Sequence, residues 1–313
     1  MSTAKAIRAA AWAAVGLGVA APLVRRRLRL RPRTVLAAAA GAPVALTVAL
    51  PPSRTRDAAV TTLGMWAYFA AYEMPADDAE RLRARVRIEY PVRIDEVLGL
   101  GRLPGVRLQQ RLHRHGRFGA WERVLVWSHW VWFAVPHATA LYVLLRRPER
   151  FPQAAARIYG TFDLGAVVYW ALPTAPPWYA AEAGHIDTGD GPPLRRLMRE
   201  YGEQVLGARW GQLYGTLGGN PLAAMPSLHF GTSVAAAQVL RDEGRVGGTI
   251  GWAYASTLGF ALVYLGEHYV TDLIAGGALA EVVRRATPRA LPRARRAGRL
   301  LDHLRRLARP ATP

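Results

Sequence analysis

His229, His268 and Asp272 combine residue types and spacings that suit attack on phosphorus. His268 and Asp272 are i and i+4, so a helix beginning near Tyr269 carries both on one face. There the Asp272 carboxylate accepts a hydrogen bond from His268 Nδ1–H. That bond fixes the tautomer and leaves Nε2 as the free, more basic nitrogen. A histidine held in this way is a nucleophile toward phosphorus. His229 follows Pro226-Ser227, and Ser227 is placed to cap the helix that His229 opens. One histidine that attacks and one that protonates the leaving oxygen form a complete phosphoryl-transfer pair.

Such residues need elements that bring them to one level. The chain has 313 residues, 51% of them hydrophobic, yet its mean hydropathy is only +0.04. Long Ala/Leu/Val/Trp runs almost free of charge alternate with short Arg-dense stretches. Runs near the length needed to cross a bilayer fall at 9–24, 35–50, 58–74, 124–145, 154–172, 227–240, 247–265 and 269–283. The expected fold is all-α: a polytopic transmembrane helical bundle of roughly six to eight spans. The first run is followed by Arg25–Arg33 and not by a small-residue cleavage site, which reads as an uncleaved helix. Two spans separate His229 from His268, so both reach the same membrane face.

Three stretches lie outside these runs. Residues 75–123 begin with Asp77, Asp78 and Glu80 and carry Val97, Leu98, Leu103, Val106 and Leu108 among arginines. They read as amphipathic surface helices or as a solvated loop. Residues 173–225 form a Gly- and Pro-rich hydrophilic insertion. Residues 284–313 form a basic tail that suits anionic headgroups. The expected organisation is 1–123 for N-terminal helices and the amphipathic segment, 124–283 for a catalytic membrane domain, and 284–313 for the tail.

The formal charge is +19, and Lys5 is the one lysine among 41 basic residues. An Arg-for-Lys bias of this kind points to a GC-rich, bacterial source and a multi-pass cell-membrane protein. The charges sit at the ends of apolar runs, where cations meet lipid headgroups, so no nucleic-acid partner is expected. Basic residues divide almost evenly between the two faces, and orientation is not set by them. No cysteine is present, so disulfides and cysteine-based zinc sites are excluded. Oligomeric state is not legible.

Met225-Pro226-Ser227-Leu228-His229, followed by His268-Tyr269 and Asp272, resembles the second and third signature motifs of the type-2 phosphatidic acid phosphatase superfamily. Pro-Ser-Leu-His and His-Tyr are closer to its inositolphosphotransferase branch, which includes aureobasidin-resistance proteins (inositol phosphorylceramide synthases). Ala175-Pro176-Pro177-Trp178 is similar to an element this branch places before its histidine motif. The resemblance implies a lipid phosphatase or phosphotransferase acting on a phosphorylated lipid in the bilayer. His268 would form a phosphohistidine, Asp272 would orient it, and His229 would protonate the leaving group and later activate the acceptor. No metal or organic cofactor is implied.

Two features depart from the superfamily pattern. Its first motif, Lys followed by Arg-Pro, is absent, and Leu265-Gly266-Glu267 stands where an Arg precedes the third-motif histidine. A phosphate dianion at a membrane edge requires compensation. The candidates are Arg195, Arg196, Arg199 and Arg209; Arg195 and Arg196, with Ser227, are the expected phosphate-binding residues. His129 and His137 fall in the run 124–145, eight apart and so near one face of a single helix. They read as interior packing residues, with a metal site shared with His229 and His268 as the alternative. His113, His115, His185 and His303 have no partner pattern. A non-enzymatic lipid-binding or transport protein and a metal-dependent membrane enzyme are the competing functions.

Overall fold

Ala- and Leu-rich runs with charges only at their ends form helices, because a backbone facing lipid must satisfy its own hydrogen bonds. The computed structural model describes residues 3–114, 116, 118–217 and 219–308; within its helices the side chains of 213–217, 297, 300, 302, 303 and 308 lie outside the description. Among these residues every regular element is helical, and extended segments meet only in isolated bridges. His115 and the His303 side chain lie outside the described residues.

The N-terminal part contributes α1 (Thr3–Val24), α2 (Pro32–Ala49) and α3 (Arg54–Glu73). Three short helices follow: α4 (Ala79–Arg85), α5 (Glu89–Leu98) and α6 (Pro104–Leu112). Next come α7 (Ala120–Trp130), α8 (Ala134–Arg146) and α9 (Phe151–Ala171). The insertion folds as α10 (Pro177–Glu182), α11 (Leu197–Leu206) and α12 (Ala208–Leu217). The chain closes with α13 (Leu228–Glu243), α14 (Arg245–Tyr264) and α15 (Val270–Ala308). Of these, α1, α2 and α14 are long and apolar enough to cross a membrane by length and composition.

The core lies where α3, α8, α9, α13 and α15 meet, around Tyr68, Phe162, Ile158, Tyr169 and Val234. Two glycines set the closest crossing in it. A Cβ on Gly276 of α15 would lie 2.3 Å from the Ser227 carbonyl oxygen, and one on Gly231 of α13 would lie 2.7 Å from that of Gly276. Any side chain there would push α15 away from the start of α13.

Three expectations change. The run 124–145 is two helices, because Val131–Phe133 forms a turn between α7 and α8. Trp130 stacks on Trp210, whereas the Trp132 indole donates to Thr232 Oγ1 at 2.9 Å and packs on Phe162. Adjacent bulky rings are drawn to different clusters, and the helix opens between them.

Residues 75–123 are helical, but α5 and α6 do more than lie on a surface. Val92, Leu103 and Val106 are buried with Ala180, Leu194 and Tyr269, while Val97, Leu98 and Leu100 remain exposed. The basic tail, finally, continues α15 without a break at 284. That helix runs to Ala308 through Pro288 and Pro292, and Arg305 Nε donates to the Thr47 carbonyl of α2 at 2.7 Å.

Candidate active site

The Pro226-Ser227 turn ends in a capped helix. Ser227 Oγ accepts from Phe230 N–H at 3.2 Å, which satisfies one of the unpaired amides at the start of α13. Ser227 N–H donates to the Asp272 carbonyl at 2.9 Å, and the Tyr169 hydroxyl donates to the Pro226 carbonyl at 2.8 Å. The turn is thereby tied to both α15 and α9. With the glycine crossing beside it, His229 Nδ1 comes to 3.0 Å from His268 Nε2.

His268 precedes α15, and its ring folds back over the first turn. Its Nδ1 lies 3.1 Å from Asp272 Oδ2, which also accepts from Tyr269 N–H at 3.0 Å. Asp272 is fully buried. With Nδ1–H given to Asp272, His268 Nε2 is the acceptor of the pair and His229 Nδ1 the donor. The next two amides of α15 are taken by Asp95 of α5. Its carboxylate accepts from Val270 N–H at 2.8 Å, Thr271 N–H at 2.9 Å and the Thr271 hydroxyl at 2.5 Å. Two carboxylates at a helix N-terminus also suit its positive dipole end.

A cavity of about 400 Å³ opens on the histidine pair, walled by Tyr72, His129, Trp132, Tyr169, Trp178 and Asn220. Distant segments meet behind it: Thr174 bridges to Arg87 on one side and on the other to Ala223, which lines the cavity. His129 stacks on His229 at 4.8 Å between ring centroids, and neither of its nitrogens has a hydrogen-bond partner. Arg196 lines the same cavity. Its guanidinium grips Glu267 through both oxygens, at 2.8 and 2.9 Å, and lies 4.2 Å above the Trp178 ring. Burial alone would raise the Glu267 carboxyl, but Arg196 outweighs it and holds the group ionised below the usual carboxylate range. Gln109 of α6 fixes the segment before α11 by donating to the Arg195 and Tyr264 carbonyls and accepting from Arg195 N–H.

A family model described as the PAP2 superfamily matches residues 92–284. The chain belongs to the PAP2 superfamily. No curated protein and no solved structure matches it. PAP2 membership, with the apolar helices, makes this a membrane protein and a phosphatase-type lipid enzyme in the general sense. The match begins at residue 92, earlier than the motifs alone reached, and takes in Asp95 and Gln109.

In this PAP2 protein His229, His268 and Asp272 are brought into one hydrogen-bonded line. Arg196 joins them at the cavity wall; Arg195 does not, because its guanidinium is paired with Glu200. Arg199 pairs with Glu203 on α11. Ser227 is fully buried, with its hydroxyl engaged in the cap. The α7–α8 turn separates His129 from His137: the first faces the cavity, whereas the second lines an apolar groove and shares a 2.8 Å hydrogen bond with the Phe133 carbonyl. Among the described residues no three His, Asp or Glu side chains converge as metal ligands. His113 has a partner after all, Glu122 at 2.8 Å.

Asp95 and Gln109 carry no mark of a site residue in the sequence, and His129 reads there as a packing residue with a shared metal site as the alternative. The available signal for Asp95 is an acid three residues after Val92, at a position that otherwise reads as core.

Proposed function

We propose that this protein cleaves the phosphate ester of a membrane lipid through a phosphohistidine on His268. The observation that carries the reading is the continuous Asp272–His268–His229 hydrogen-bonded line opening on one cavity. His268 Nε2 donates its electron pair to phosphorus, and the bond from phosphorus to the lipid oxygen breaks. His229, in its protonated form, delivers a proton to that oxygen, and Asp272 stabilises the positive charge developing on His268. In the second half His229 takes a proton from the incoming acceptor, which attacks phosphorus and releases His268. His229 must swing off His268 Nε2 before attack, because at 3.0 Å no phosphoryl group fits between them.

Water as acceptor gives a phosphatase, and an alcohol such as inositol gives a phosphotransferase. At about 400 Å³, with Trp132, Tyr169 and Trp178 in its walls, the cavity has room for more than one phosphoryl group and so admits either acceptor. The Ala175-Pro176-Pro177-Trp178 element contributes Pro176 and Trp178 to that wall. Purified protein assayed with phosphatidic acid, and separately with phosphatidylinositol plus a lipid alcohol, distinguishes them. Release of free phosphate from the first alone rules out obligate transfer. Absence of turnover and of acid-labile phosphoprotein with either substrate overturns the enzymatic reading.

A further inference from the structure

We propose that an apolar groove between α3, α8 and α9 holds one hydrocarbon chain of the phosphorylated lipid whose head occupies the His229–His268 cavity. The inference rests on the functional reading above and adds where the chain lies. The groove encloses about 400 Å³, and its walls include Met65, Trp66, Leu141 and Leu144. Phe69 and Phe133 line both this groove and the catalytic cavity, with ring centroids 5.5 Å apart. The two spaces therefore share one pair of rings as their common wall.

Direction and depth fit a chain descending from a headgroup. From Phe69 the groove follows α3 back to Ala58, and from Phe133 it follows α8 forward to Leu144. Each path is about three helical turns, or about 16 Å at 1.5 Å per residue. That is near half of a hydrocarbon core roughly 30 Å thick, the depth the chains of one leaflet occupy. The walls also make little polar demand. The Thr61 and Thr62 hydroxyls donate to the Asp57 and Ala58 carbonyls of their own helix, and His137 Nδ1 is bonded to Phe133. A methylene chain leaves none of these groups deprived, whereas a polar occupant would find His137 Nε2 and the Trp66 indole N–H as the buried wall atoms without a partner among the described residues.

Wild-type protein in phosphatidylcholine vesicles is irradiated with a non-hydrolysable lipid phosphonate that carries a diazirine near its chain end. Cross-linked peptides from residues 54–66 of α3 and 137–146 of α8 are expected. Labelling should fall at least tenfold with excess unlabelled lipid phosphate and not with neutral diacylglycerol. Equal competition by diacylglycerol, or labels confined to α1 and α14, overturns the proposal.

Thr62→Trp and Ala58→Phe supply a second readout, the ratio of turnover on a long-chain to that on a short-chain phosphate. The ratio should drop at least tenfold in each variant. Turnover with an unchanged ratio removes the groove and leaves the phosphatase reading standing, whereas a wild type inactive on both chain lengths removes the two together.

Discussion

His229 Nδ1 and His268 Nε2 face each other at 3.0 Å, so the acid and the nucleophile of the proposed reaction are hydrogen-bonded to one another before substrate arrives. Their separate roles give separable defects. His268→Ala should abolish turnover and any acid-labile phosphoprotein. His229→Ala should lower kcat by about 10²–10⁴-fold, the usual contribution of a general acid. An aryl phosphate, whose leaving group needs little protonation, should recover much of the His229→Ala loss and none of the His268→Ala loss. Equal recovery in both variants argues against the assignment.

Asp272 holds His268 by the Nδ1 side and also caps the first turn of α15. Asp272→Asn keeps the shape but can offer an amide N–H where a carboxylate accepted. The His268 tautomer is then free to reverse, and kcat should fall by about 10⁴-fold, as when the orienting carboxylate of a catalytic triad is amidated. Trapping with a phosphohistidine-directed reagent measures the forward half-reaction. Unimpaired trapping would place Asp272 outside the chemistry.

Asp95 acts at one remove, through the amides of Val270 and Thr271. Asp95→Ala should cost about 1–2 kcal/mol of stability, as loss of a helix cap does, and should also lower kcat. Asp95→Asn retains one acceptor oxygen and should restore part of the kcat with KM unchanged. A variant that loses stability while kcat per folded molecule stays at the wild-type value assigns Asp95 a structural role alone.

The parts of this site legible in the sequence are those whose partners lie close in the chain. His268 and Asp272 are four apart, and Ser227 caps the helix it precedes, so local geometry sufficed. Asp95 and Gln109 meet α15 and α14 across more than 150 positions, and only the tertiary fold reveals what they bond to. The α7–α8 turn has no Gly or Pro at Val131–Phe133 to announce it, since competing aromatic clusters cause it. Conversely, proline inside a helix ordinarily breaks or kinks it, yet α15 carries both Pro288 and Pro292.

Glu267 neutralises Arg196 at the cavity wall, and this pairing sets a pH dependence. Its carboxyl is held below the ordinary value by Arg196, so the pair contributes stability above the unfolded-state carboxylate pKa of about 4.3. That contribution is lost as pH falls through the lower, folded value. Relative to Glu267→Gln, wild-type protein should hold a plateau of extra thermal stability above about pH 5 and lose it as pH falls below about 4.3. Glu267→Gln also releases the Arg196 charge toward a bound anion, so vanadate should inhibit this variant at lower concentration than wild type. Weaker vanadate inhibition in Glu267→Gln would show that Arg196 does not meet the phosphate.

His129 is placed to offer a bound phosphate a further hydrogen bond. A phosphate dianion in this cavity meets Arg196, already shared with Glu267, and His229, which must protonate the leaving oxygen. A further group is the His129 ring, stacked 4.8 Å from His229 with both nitrogens buried and without partners. Leaving such nitrogens unsatisfied is costly unless a ligand supplies the missing bond. A charge-assisted hydrogen bond from His129 to a non-bridging phosphate oxygen is worth about 1.5–3 kcal/mol, or roughly 10–100-fold in affinity. His129→Phe keeps the stacking surface and should raise the vanadate inhibition constant by that factor, with thermal stability unchanged or improved by removal of the unpaired nitrogens. His129→Gln retains a donor and should lose less. Vanadate inhibition as strong in His129→Phe as in wild type would make the residue a packing histidine, the role its sequence position first suggested.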